Sequence, residues 1–111
     1  MGNVIFQDRL IIVAAFVWIK SEYGGRSMEP VIGLKPTIRF QRYVEDWMKT
    51  SWDVEIIELD ICTDNWSGSA KMKFTRNPSP KMEWLKKGEL LELLDAYRVV
   101  AVGKILEIKN Q

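Results

Sequence analysis

Pairs of carboxylates are the first residues in this chain whose spacing invites a chemical reading. Glu45 is followed by Asp46, and Glu58 by Asp60. Acids two apart on a strand share a face, the placement a hydrolytic acid/base pair would need. A solvated strand surface uses the same residues, and that plainer reading is favoured here. The chain has no histidine, which removes the commonest general base and metal ligand together with Ser–His and Cys–His nucleophiles. Cys62 is the only cysteine, so a structural zinc site lacks its ligands. Gly103 and Lys104 are followed by Ile105, not by the hydroxyl residue of a phosphate-binding loop. No GxGxxG or GxSxG motif occurs. The sequence therefore predicts no enzyme, no catalytic residue, no metal and no cofactor, and no small-molecule substrate is evident.

The basic residues offer a second possibility. Arg26, Lys35, Arg39, Lys71, Lys73 and Arg76 could form a phosphate-binding face for RNA, tRNA-like in kind. The net charge of +1 argues against a general nucleic-acid binder. Phe40 and Phe74 alternate onto the face opposite the lysines, which removes the stacking platform a single-stranded site would use. Charge is nevertheless unevenly distributed. Residues 44–66 hold seven acids against one lysine, net −6, and residues 67–87 hold six cations against one acid, net +5. Such blocks either steer a partner of opposite sign or face one another and cancel, as neighbouring antiparallel strands would allow. The second is favoured.

Recognition residues need a scaffold, and the loop between the first two apolar runs is built to be shaped. Tyr23, Gly24, Gly25 and Arg26 are followed by Pro30 and then by Gly33, Leu34, Lys35 and Pro36. Glycines admit positive φ and prolines restrict it, so this connection is expected to hold one conformation. Ordered loops on rigid scaffolds commonly carry function, although an ordered loop also serves folding alone.

The scaffold reads as six strands. The first, about 10–20, is apolar on both alternating sets, which implies burial on two sides or an interface. The second, about 35–43, turns Ile38 and Phe40 inward. The third, about 53–62, groups Ile57, Leu59 and Ile61 on one face, and Cys62 reads as a small buried hydrophobe. The fourth, about 69–76, sets Ala70, Met72 and Phe74 against outward Lys71 and Lys73. Leu90 to Leu94 and Tyr97 to Ile108 follow, with a turn near Asp95 and Ala96, and Gly103 marks a candidate bulge. Residues 44–52 are expected to make at most one or two helical turns anchored by Trp47 and Trp52. With 111 residues, 47% apolar and 28% charged, this is globular composition for one domain, residues 1–111. Turn-punctuated strands of this spacing predict an all-β, closed six-stranded barrel, antiparallel-rich, which leaves no edge exposed. The apolar run Leu10–Ile19 is half the length of a membrane-spanning helix, and no internal disulfide can form. No membrane association is expected, and the cytoplasm is the expected location.

The loop and the final hairpin together resemble the third, C-terminal β-barrel domain of translation elongation factor Tu. The matching residues are Val17 to Lys20 running into Gly24, Gly25 and Arg26, then Pro30, then Gly33, Leu34, Lys35 and Pro36 leading to Ile38 and Phe40. Leu91 to Leu94, Asp95 to Arg98 and Val99 to Ile105 match the family's closing strands. Leu34 and Lys35 stand where the family has tyrosine and arginine, and Ala96 and Tyr97 where it has paired glycines. The resemblance implies the barrel fold as a stand-alone domain. It implies no GTP hydrolysis, since the GTPase domain and the second barrel have no counterpart. In that family the barrel helps bind the T-arm of aminoacyl-tRNA and packs on the GTPase domain, so Arg26, Lys35 and Arg98 are the positions nearest such contacts. Lysine at position 35 lacks the guanidinium fork for phosphate.

The function expected is thus a non-enzymatic interaction module binding a protein partner or itself. Candidate contacts are Arg26, Lys35, Arg98, Trp47, Trp52 and Trp66, with two or three of the five tryptophans reserved for the core. RNA binding through the basic face is the alternative, and an immunity-type protein that blocks a toxin is another.

Overall fold

Side chains on a strand alternate between two faces, so pairing decides what each face meets. The computed structural model describes residues 10–43, 52–75 and 82–110. Six strands are formed: β1 (Leu10–Trp18), β2 (Thr37–Phe40), β3 (Trp52–Cys62), β4 (Ser67–Phe74), β5 (Leu90–Asp95) and β6 (Arg98–Asn110). Their order around the sheet is β1-β4-β3-β2-β5-β6, every pair is antiparallel, and β6 returns to β1 to close a barrel. Among the described residues the remaining regular elements are single 3₁₀ turns at Ser21–Tyr23, Gln41–Tyr43 and Met82–Trp84. The all-β barrel is as expected. The second strand is shorter than its predicted 35–43, because Gln41–Tyr43 tightens into a turn, while β3 begins at Trp52. Of the helical turns expected over 44–52, Trp52 instead opens β3, and residues 44–51 lie outside the described residues.

Leu10, Ile12, Ala14, Phe16 and Trp18 of β1 point inward to meet Ile38, Phe40, Val54, Ile56, Ala70, Met72, Leu91, Leu93 and Ile105. Antiparallel pairing fixes two ends. Leu10 opposite Asn110 lies toward the lower one, the end at which β3 begins. Trp18 opposite Ala101 and Cys62 opposite Ser67 lie toward the upper one. The lower core is aromatic. Tyr43 stacks on Trp84 at 4.5 Å between ring centroids, Trp52 meets Trp84 edge-on at 5.3 Å, and Phe40 lies 6.0 Å from it. Such tilted and offset contacts suit the ring quadrupoles.

Three bulges set the parity of the strands. Ile57 is the extra residue of β3 against β4, Val100 of β6 against β5, and Leu106 of β6 against β1. The first overturns two expectations. Ile57 does not share a face with Leu59 and Ile61, because Val54 and Ile56 point inward before the bulge, and Leu59 and Ile61 pack on the core after it. Cys62 then falls on the outward set and is exposed, not buried. Gly103 is not a bulge. It sits opposite Phe16, and a Cβ there would lie 2.2 Å from the Ala15 carbonyl oxygen and 2.5 Å from the Phe16 ring. Close approach, not an extra residue, requires glycine at this position.

Candidate functional site

The upper end of the barrel gathers the loop 19–36, the turn 63–66 and the β5–β6 turn. The loop is tied by its own backbone: the amides of Gly24, Gly25 and Arg26 donate to the carbonyls of Ser21, Lys20 and Ile19 at 2.8–2.9 Å. Gly24 has φ +92°, which suits glycine alone, whereas a Cβ on Gly25 would lie 1.9 Å from the Ile19 carbonyl oxygen. The two adjacent glycines are needed for different reasons. Further on, Gly33 donates to Ile56 and receives the chain at φ +96°. The amides of Ile56 and Val54 donate to the carbonyls of Leu34 and Pro36 at 2.9 Å. The loop therefore docks along β3 before β2 begins.

Three of the sequence-predicted residues meet here. Arg98 reaches across to donate from Nη1 to the Gly25 carbonyl at 3.2 Å, and so pins the loop to the β5–β6 hairpin. Arg26 donates from Nε to the Met28 carbonyl at 3.1 Å. Arg26 and Lys35 line a cavity of about 310 Å³ with Trp18, Leu34, Pro36, Thr37, Asp53, Leu94, Asp95, Ala96 and Val100. Asp53 accepts a hydrogen bond from the Thr37 hydroxyl at 2.9 Å. Trp18 is only 2% exposed, and its indole N–H finds no acceptor among the described residues. An unpaired buried donor costs about 1–3 kcal/mol.

The tryptophans divide. Trp66, half-buried, holds the 63–66 turn: its carbonyl accepts from the Trp18 amide at 2.9 Å, and the Lys20 ammonium stands 5.5 Å above its ring. Trp52, expected at a partner contact, is instead core, 9% exposed and edge-on to Trp84. Its inward parity next to Val54 puts it there. Trp47 lies outside the described residues, as does Arg76.

The other cations of the RNA reading lie on the outer wall and are matched with acids. Lys71 Nζ is 3.0 Å from Glu58 and Lys73 Nζ 3.9 Å from Glu55, because β3 and β4 set them across the ladder. Arg39 pairs with Glu92 on β5, with Nη2 2.7 Å and Nε 2.8 Å from Oε1. The acidic and basic blocks face one another on these strands, as the sequence favoured. Glu58 and Asp60 are both exposed on the outer wall, and Glu58 is held by a lysine.

An apolar surface on β1, β5 and β6 completes the picture. Ala15, Phe16, Val17, Gly68, Leu90, Val102 and Gly103 line a cavity of about 470 Å³ rimmed by Ser67 and Lys104. Val17 is 51% exposed and Leu90 53%. Val17 also lines an adjoining cavity of about 550 Å³ with Trp18, Ile19, Lys20, Glu22, Tyr23 and Asn65, so a mixed polar and apolar surface continues to the loop, where Tyr23, Met28, Val31 and Ile32 are exposed as well. The outward set of β1 was signalled by its two-faced apolarity. Leu90 and Val102 carried no such signal, since only pairing places them beside Val17. No protein-family model and no curated protein matches the chain. No helix among the described residues is long and apolar enough to cross a membrane.

Proposed function

We propose that the protein is a non-enzymatic interaction module whose partner is another protein. The observation that carries this reading is the apolar surface of Leu90, Val102 and Val17, continued by a mixed polar and apolar stretch to Tyr23. An exposed apolar patch rimmed by polar groups is a feature of binding faces. Its composition of valine, leucine and tyrosine beside lysines at the edge suits a protein contact with a charged rim. The likeness of the loop and last hairpin to the third domain of elongation factor Tu, a barrel that packs on other domains, supports the same role. RNA gains less support, because Arg39, Lys71 and Lys73 each have a carboxylate in reach. With a lone, exposed thiol, a reducing cytoplasm is the compartment this reading favours.

A photo-crosslinking amino acid in place of Leu90, introduced in the native host, tests the proposal. One discrete protein adduct, either a second copy or another chain, is expected, and Val17→Asp should abolish it while circular dichroism stays unchanged. Adducts that persist in Val17→Asp, or no adduct at all, would refute the assignment of this face.

A further inference from the structure

The upper cavity carries an inference independent of the apolar face. We infer that the space between the 19–36 loop and the β5–β6 turn is a binding site for a small amphoteric molecule, one bearing a carboxylate, an ammonium group and an aliphatic body.

Trp18 belongs to the inward set of β1 and lines this cavity, and its indole N–H is buried without an acceptor among the described residues. Two cations line the same space. Lys35 is exposed and has no ion-pair partner among the described residues, and Arg26 commits its Nε to Met28. Together they favour a carboxylate over a neutral acceptor. The wall is not simply positive, however. Asp53 and Asp95 line it too, and they would repel a plain anion while accepting an ammonium. Leu34, Pro36, Leu94 and Val100 supply the apolar remainder, as small-molecule sites commonly do around a few placed polar groups. The loop that provides Arg26 and Lys35 is held by its own amides, by Arg98 and by β3, so the cavity exists before anything enters it. The volume of about 310 Å³ admits a molecule the size of an aliphatic amino acid.

The test uses the full ¹⁵N-labelled chain and follows the Trp18 indole N–H resonance during titration with leucine. Two analogues accompany it: 4-methylvalerate, which lacks the ammonium, and isoamylamine, which lacks the carboxylate. A saturable shift with leucine is expected at millimolar concentration or below, with each analogue weaker by about tenfold or more. Lys35→Ala, a change at an exposed side chain, should weaken leucine by about tenfold and leave the remaining spectrum in place. No saturable shift up to about 10 mM leucine would overturn the inference. So would equal binding of 4-methylvalerate, since the acids would then play no part. Unchanged affinity in Lys35→Ala would overturn it as well.

Discussion

Two neighbouring glycines separate two kinds of constraint. Gly24 lies at φ +92° with open space where a Cβ would go, while Gly25 has ordinary φ but presses against the Ile19 carbonyl. A left-handed alanine costs about 1–2 kcal/mol. A Cβ driven into backbone costs about 1–3 kcal/mol, or more where the neighbour cannot give, and Ile19 is held by bonds to Val100 and Arg26. Thermal denaturation should therefore find Gly25→Ala the more destabilising of the two, and it alone should alter the environment of Arg98, whose guanidinium grips the Gly25 carbonyl. The reverse order would show that the loop yields at Gly25. Both glycines read identically in sequence, and only the fold tells them apart.

At the scale of strands, the outward charges make ladders of different worth. Arg39 and Glu92 are directly opposed on β2 and β5 and partly buried. Lys71 and Glu58 are opposed on β4 and β3, but Glu58 is largely in water. Exposed pairs contribute about 0–1 kcal/mol, whereas charge-assisted bonds with less solvent contribute more. A double-mutant cycle on Arg39→Ala and Glu92→Ala should give a coupling near 1 kcal/mol or above. The same cycle on Lys71 and Glu58 should give about 0.5 kcal/mol or less, fading as salt is raised. Alternation alone marked Lys71 and Lys73 as outward. It could not show whether they faced solvent or acid, because the facing strand lies several residues away through a turn and its register is shifted by the bulge at Ile57.

For the molecule as a whole, Trp84 is the residue on which the lower core converges, 3% exposed and in contact with Phe40, Tyr43 and Trp52. Trp84→Ala should cost about 3–5 kcal/mol, read as a lowered denaturation midpoint by a probe of the β1 face as well as by one near Trp84. A local loss that spared β1 would mean the barrel is not one cooperative unit. Which residues form strands, and which two sets β1, β2 and β4 divide into, was legible from alternation, β-branched content and turn residues, since those act between near neighbours along the chain; the sets of β3 were not, because of the bulge at Ile57. The absence of histidine and the single cysteine limited the chemistry in the same direct way. The neighbours of each strand, the burial of Trp52, the exposure of Cys62 and the meeting of Arg26, Lys35 and Trp18 at one cavity came only with the closed barrel. Pairing joins residues far apart in the chain, and one extra residue in a ladder reverses every side chain beyond it.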